Sequence, residues 1–378
     1  MNNTKQLNAK RFFGLDLLRV LAVSMILFSH TSWIYNSNGI LGKLQDISGF
    51  LGIELFIVLS GFLIGGILYK QFLSGSYTLK EASIFVYRRL LRLLPTYYLV
   101  ILINTVIFIS FGFSISGIWK YFLLLQNFAS PVSSFFPESW SLPVKEIGYI
   151  FLVFLLLIFS NLFIKASKKI VFLSVTVGFM ILLFFLKINY DIFSTNLDLR
   201  LWSFNVRSVV IYRIDSVLIG VLFGCFYQNY KEFVLSKRTL FLSVGILLFL
   251  MLLLCVVVFK FRLTNASWFW NILCLPLVSL AICMFFPFLL HLERPSEAIG
   301  NLISFVCRIS YSVYLLHYSC ILFLLKYLID TTNFSIWQLN LFTILYLLIT
   351  VSSSYLLYTY FEKPINEYRT KTFKLNGR

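Results

Sequence analysis

Apolar runs of about 20 residues recur along this entire sequence, and they restrict the possible fold more than any other feature. A helix needs about that length to cross the hydrocarbon core of a bilayer. The core of a soluble protein would instead show shorter apolar runs interrupted by polar faces. Composition agrees, because 59% of the residues are hydrophobic and only 12% are charged, whereas soluble domains are about one quarter charged. The sequence therefore predicts an integral membrane protein.

The apolar runs predict ten spans in an all-α polytopic transmembrane bundle. The predicted spans are residues 12–35, 49–69, 93–113, 146–164, 170–186, 208–229, 239–259, 268–290, 309–329 and 339–360. If both termini are cytoplasmic, 21 of the 32 Lys and Arg residues fall in inner segments and 8 in outer segments, as the positive-inside rule requires. We expect one membrane-embedded domain over residues 1–378, with short cytoplasmic tails and a first span that is not cleaved.

The net charge of +17 does not indicate a nucleic-acid-binding protein, because the basic residues form short clusters between apolar runs. Membrane lipid is the expected surrounding, and no nucleic acid partner is predicted. The six cysteines lie in or beside apolar runs, and none has C-x-x-C spacing. They are therefore expected to be buried thiols, with neither a disulfide framework nor a metal site.

The first predicted span carries three ionisable residues, which are costly inside a membrane. Arg19 and His30 lie within about 20° of one helical face and about 16 Å apart along it, with Arg19 nearer the cytoplasm. Asp16 precedes Arg19 by one turn and can pair with it. A neutral imidazole at His30 could act as a general base for a hydroxyl nucleophile. The same pattern also fits a buried structural histidine and an arginine that reaches the inner headgroups.

Two further groups of charges have more than one interpretation. Arg89 and Arg92, in a basic segment over residues 70–92, lie one helical turn apart, so both can bind one polyphosphate such as that of coenzyme A. They could equally bind anionic lipid. Arg213 and Asp215, placed within the sixth span, predict an interior ion pair or a polar cavity, with a structural role or a substrate contact.

Several segments occur in a fixed order along the chain. They are Gly14–Arg19 followed by Ser29-His30, Gly52–Ile64 with Glu54 and Ser60, Arg89-Leu90-Leu91-Arg92 with Pro95, Trp140–Glu146, Ser310–His317, and Phe361–Pro364. Together they resemble the acyltransferase-3 family, membrane proteins that transfer acyl groups to extracytoplasmic sugars and related acceptors. The chain differs from the family pattern Trp-Ser-Leu-x-Val-Glu-Glu at Lys145, where the first glutamate is usual.

This resemblance implies an O-acyltransferase in the cytoplasmic (inner) membrane of a bacterium. Acetyl would pass from cytoplasmic acetyl-CoA to a hydroxyl of a cell-surface polysaccharide or its lipid-linked precursor. The short C-terminal tail leads us to expect no additional esterase-like domain. The implied catalytic residues are His30, Arg19 and Glu146, and the implied acetyl-CoA-binding residues are Arg89 and Arg92. Substrate contacts or structural roles are expected for Asp16, Ser60, Trp140, Arg213, Asp215 and His317.

Two other classes of membrane protein also fit part of the pattern. A secondary transporter or flippase for a polar lipid-linked substrate would need a similar number of spans and intramembrane charges. Transporters often contain two matching halves, and this sequence shows no internal repeat. A polysaccharide polymerase would be expected to have a larger outer loop than residues 114–145.

Overall fold

The computed structural model describes residues 12–36, 39–75, 77–194 and 198–375, without the side chains of residues 372–375. Throughout these ranges all regular structure is helical, which confirms the predicted all-α class. The predicted tail of residues 1–11 lies outside the described residues.

Ten apolar helices correspond to the ten predicted spans. In order, they are α1 Phe13–Tyr35, α2 Gly39–Leu73, α3 Leu79–Ser110, α4 Pro137–Leu162, α5 Lys168–Phe193, α6 Ile214–Asn229, α7 Arg238–Val257, α8 Phe269–His291, α9 Glu297–Leu328 and α10 Ile336–Lys371. Within the described ranges, nine of them are long and apolar enough to cross a membrane, and α6 is a shorter apolar helix. The prediction of a multi-span helical membrane protein is therefore confirmed.

Several predicted boundaries are wrong because polar residues continue the helices beyond their apolar stretches. The predicted loop over residues 70–92 is mostly the first part of α3, which begins with a capping box: the Glu81 carboxylate accepts a hydrogen bond from the Thr78 backbone N–H at 2.8 Å. Helix α4 begins with a 3₁₀ turn and is α-helical from Ser141. Lys145 and Glu146 consequently lie in a regular helix and not at an irregular helix end.

Glycines let α2 and α6 pack backbone against backbone. A Cβ atom at Gly61 would lie 2.3 Å from the Val217 carbonyl oxygen, and one at Gly220 would lie 2.4 Å from the Val58 carbonyl oxygen. Small residues at such positions are typical of closely packed membrane helices. This contact holds the start of α6 beside the charged part of α2.

Helix α9 changes its winding at His317. The helix is regular from Glu297 to Leu316, and residues His317–Leu322 then form a π-helical turn. Such turns are rare and frequently mark functional sites. Helices α1 and α9 pack together, and this packing brings the polar residues of the two helices into contact.

Candidate active site

A cavity of about 740 Å³ lies between α1, α2, α3, α4, α9 and the end of α10, a volume within the usual range for small-molecule sites. Its described walls contain seven cationic side chains but only two carboxylates. The cations are Arg19, Arg88, Arg89, Arg92, Lys145, Arg308 and Arg369, and the carboxylates are Glu146 and Glu362. This excess of positive charge favours an anionic ligand with several charged groups.

Five of these cations come from segments that the charge distribution assigns to the cytoplasmic side. Arg88, Arg89 and Arg92 belong to α3, Arg308 to α9, and Arg369 to the last helical segment. The Arg369 guanidinium donates a hydrogen bond to the Arg88 carbonyl oxygen at 3.4 Å. Three of the predicted inner segments therefore meet around the cavity.

Arg89 and Glu146 form a bidentate ion pair in the cavity wall. Arg89 Nε lies 2.5 Å from Glu146 Oε2, and Arg89 Nη2 lies 2.8 Å from Oε1. The Arg89 guanidinium also lies 3.9 Å from the centre of the Tyr149 ring, whose hydroxyl donates to Ser60 Oγ at 3.1 Å. The structure thus brings together predicted residues from three segments. Glu146 and Tyr149 contact the Arg89 side chain directly, and Ser60 contacts it only through Tyr149, which gives Glu146 a positioning geometry.

Arg19 pairs with Asp16 as the sequence predicts, with 3.4 Å between Arg19 Nη1 and Asp16 Oδ1. The Cys307 thiol of α9 also donates to Asp16 Oδ1, at 3.3 Å. Arg19 remains 30% exposed and faces the cavity. Arg92, which the sequence predicts to bind the acyl donor together with Arg89, lines the same cavity. Arg19, Arg89 and Arg92 therefore converge on one space.

His30 meets a second histidine beyond the cavity. Its ring centre lies 4.9 Å from that of His317 and 4.4 Å from that of Tyr318. His30 is half-buried, whereas His317 is fully buried. His317 Nδ1 lies 2.9 Å from the Tyr314 carbonyl oxygen, and the Tyr314 side chain lines the cavity. His30 is not among the described residues of the cavity wall, so Tyr314 stands between the cavity and the histidine pair.

The family of the chain follows from its sequence. The sequence model described as "Acyltransferase domain", of the acyltransferase-3 family, matches residues 12–359. The chain belongs to the acyltransferase-3 family.

Relatives of this acyltransferase-3 member are bacterial proteins. A Staphylococcus aureus (strain COL) protein named "putative O-acetyltransferase" is 27% identical over 360 residues, which cover 86% of this chain and 53% of the relative. The peptidoglycan O-acetyltransferase OatA of Listeria monocytogenes is 25% identical over 288 residues, covering 65% of this chain and 44% of the relative. The chain spans about half the length of these curated relatives. No solved structure matches it.

The protein contains a buried carboxylate that the sequence did not single out. Glu138 Oε1 accepts hydrogen bonds from the Ser319 backbone N–H at 2.8 Å and from Ser319 Oγ at 2.6 Å. The Tyr314 hydroxyl donates to the Glu138 carbonyl oxygen. Glu138 was placed in an outer loop, where a carboxylate is ordinarily solvated. In the sequence, the feature that could have identified Glu138 as a site residue is its position two residues before Trp140.

Arg213, which was predicted inside the sixth span, is instead the residue just before α6. It is fully buried and forms an ion pair with Glu54 of α2, while its Nη1 lies 3.7 Å from Asp215 Oδ1. Asp215 is also paired with Lys187 of α5. The predicted interior pair is therefore part of a larger network, in which a long-range carboxylate is the main partner of Arg213.

Arg207 completes this network from the segment before α6. Its Nε lies 3.6 Å from Glu54 Oε1, and its guanidinium lies 5.3 Å from the centre of the Trp140 ring. Burial lowers the pKa of Arg207 to about 10, although the negative charge of Glu54 opposes this effect. Arg207 is thus still a cation at neutral pH. Trp140 and Arg213 belong to this neighbourhood and do not line the cavity wall as it is described.

The described residues contain no group of three or more His, Cys, Asp or Glu side chains arranged to hold a metal ion. All six cysteines are free thiols, and only Cys255 is less than fully buried.

Proposed function

We propose that this protein is an O-acetyltransferase that uses acetyl-CoA from the cytoplasm and modifies a hydroxyl of a cell-envelope glycan. The observation that carries the proposal is the cation-lined cavity and its border with the histidine pair. Its arginines suit the diphosphate and ribose phosphate of coenzyme A. Tyr314 of its wall contacts His317 through its carbonyl oxygen, and His317 in turn contacts His30.

In the proposed reaction the acceptor hydroxyl attacks the acyl carbon of the thioester. His30 takes the hydroxyl proton, a new C–O bond forms, and the C–S bond breaks with its electron pair remaining on sulfur. The His30 imidazolium then gives up this proton, which converts the leaving thiolate to the free thiol of coenzyme A. Arg19 orients the donor from the cavity side. Arg92 and Arg369 bind the phosphates, and Glu146 holds Arg89 in place.

The relatives support the acceptor class. One is named a peptidoglycan O-acetyltransferase, so peptidoglycan or its lipid-linked precursor is the first acceptor to test. Because the relatives are bacterial and the protein contains several membrane helices, we propose that it resides in the cytoplasmic membrane of a bacterium.

Proteoliposomes test the reaction class. Purified protein is supplied with acetyl-CoA labelled in the acetyl group and with peptidoglycan precursor. We expect label in an alkali-labile ester on the glycan and an equal amount of free coenzyme A. His30→Ala should abolish transfer, whereas His291→Ala, at an exposed helix end, should leave it unchanged. Movement of the glycan across the bilayer without thioester consumption would instead identify a transporter.

The donor site has a separate test. Arg92→Gln and Arg369→Gln should each weaken coenzyme A binding by about tenfold or more, because each removes a charge-assisted hydrogen bond. Lys231→Gln, at an exposed position outside the cavity, is the matched control. Arg89 is unsuitable for this purpose because its substitution also leaves Glu146 without its partner. Unchanged affinity in both cavity variants would contradict the assignment of the cavity to the donor.

A further inference from the structure

One ring nitrogen of His317, Nε2, has no hydrogen-bond partner among the described residues. A carbonyl oxygen can only accept a hydrogen bond, so the contact with Tyr314 places the proton on Nδ1 and leaves the lone pair on Nε2. Within the described part of the chain, this Nε2 is buried and lacks a hydrogen-bond partner. Native proteins rarely leave a buried acceptor unpaired, and such exceptions are often functional.

The neighbouring ring is that of His30. The two ring centres are 4.9 Å apart and their planes are inclined by 61°. His30 is half-buried, whereas His317 is enclosed and anchored through Nδ1. At this separation, an N–H group of the His30 ring would reach His317 Nε2 if the ring turned toward it.

A histidine base needs a group that fixes its tautomer, and a carboxylate usually has that role. Among the described residues, no carboxylate lies within 4.0 Å of either imidazole. The nearby acid Glu138 directs its Oε1 at Ser319. Its buried Oε2 also lacks a hydrogen-bond partner among the described residues, but it is not within 4.0 Å of a nitrogen of either imidazole. The unused acceptor of His317 is thus the group available to orient His30.

We propose that His317 is the positioning residue of His30, an inference that rests on the proposed acyl transfer. His317 Nε2 accepts the hydrogen bond from one His30 N–H. This leaves the lone pair of the other His30 nitrogen directed at the acceptor hydroxyl. When His30 takes the hydroxyl proton it becomes an imidazolium ion, and the hydrogen bond to His317 stabilises that charge. The π-helical turn that begins at His317 gives this ring its position.

Two amide substitutions separate the ring nitrogens of His317. In His317→Asn, the amide replaces Nδ1 and can still donate to the Tyr314 carbonyl, but nothing replaces Nε2. In His317→Gln, the amide oxygen replaces the Nε2 acceptor. His291→Asn is the matched control, at an exposed position. For each variant, kcat and KM for acetyl-CoA are measured in proteoliposomes and expressed per amount of folded protein.

We expect His317→Asn to lower kcat by about a hundredfold or more, in the range typical of general acid–base contributions, with an unchanged KM for acetyl-CoA. His317→Gln should retain at least about tenfold more turnover than the Asn variant, because it restores the acceptor. Near-normal kcat in His317→Asn, or equal losses in both variants, would overturn the positioning role. If the Asn variant does not fold, complete loss of turnover in folded His317→Gln overturns it, and substantial turnover supports it.

This outcome is distinguishable from failure of the proposed function. If the wild type and His291→Asn transfer no label to any acceptor, the proposed reaction is wrong. If both transfer label and His317→Asn does so equally well, only the role of His317 is wrong.

Discussion

The ion pair between Arg89 and Glu146 is a buried structural contact in the wall of the proposed donor site. Glu146 is 1% exposed and Arg89 supplies two hydrogen bonds to it. Removal of one partner from such a pair leaves an uncompensated buried charge, which typically costs about 3–5 kcal/mol. Arg89→Met should therefore lower the free energy of unfolding in detergent by about that amount.

The double variant Arg89→Met/Glu146→Leu is the control for this prediction. It should recover most of the lost stability, because neither charge then remains unpaired. Thermal unfolding followed by tryptophan fluorescence gives the coupling between the two sites. A double variant as unstable as the sum of the single variants would show that the pair does not act as a unit.

The residues also show which contacts a sequence can predict. Asp16 and Arg19 are three positions apart on one helix, so their pairing follows from helical geometry. Glu54 and Arg213 are 159 positions apart, and their pairing depends on how α2 and α6 pack. The sequence identifies the polar residues that lie within apolar segments. It does not identify their long-range partners, because those are set by tertiary structure.

At the scale of elements, the close contact between α2 and α6 leads us to predict that an added methyl group there destabilises the protein. Gly220→Ala should destabilise the protein by about 1–3 kcal/mol or more, because the added methyl group meets backbone that cannot move aside easily. Gly178→Ala is the matched control, since a Cβ at Gly178 meets nothing within 4 Å. The measurement is the midpoint of thermal unfolding, and equal midpoints for the two variants would contradict close packing at Gly220.

The sequence predicts the helices well over their apolar central parts. It predicts the first and last residues of each helix much less well. Helices α2, α3 and α4 begin 10, 14 and 9 residues before the predicted spans. Their first turns mix polar with apolar residues, so hydropathy does not detect them, and a capping box stabilises the start of α3. The π-helical turn at His317 was also not predictable, since it depends on the fit of α9 against its neighbours. The histidine pair could for that reason not be derived from spacing within one helix.

At the scale of the whole molecule, the charge distribution predicts salt-dependent donor binding. Arg88 and Arg92 of the cavity wall are exposed, so mobile ions can screen them. Coenzyme A affinity should fall as the ionic strength rises. Dephospho-coenzyme A should bind more weakly and show a smaller salt dependence, because it lacks the ribose phosphate. Titration calorimetry at two salt concentrations measures both effects, and identical affinities for the two ligands would contradict a polyphosphate site.

The orientation in the membrane is also open to test. Because the basic segments are predicted to be cytoplasmic, Thr332→Cys should react with an impermeant maleimide in intact cells, and Ser236→Cys only after lysis. Native cysteines are almost all buried and should give little background. The reverse labelling pattern would invert the predicted topology.

The separation of the arginine-lined cavity from the histidine pair by Tyr314 has a consequence for bioenergetics. In the proposed reaction, the phosphates of the donor stay with the arginines. The acetyl group passes to the outer side and the hydroxyl proton passes through His30 to the thiolate, so no net charge crosses the membrane. Moving one elementary charge against a membrane potential of 100 mV costs about 2.3 kcal/mol, but transfer of a neutral group does no electrical work. Modification of the outer surface would therefore be driven by the thioester alone, and its free energy would be independent of the voltage across the membrane.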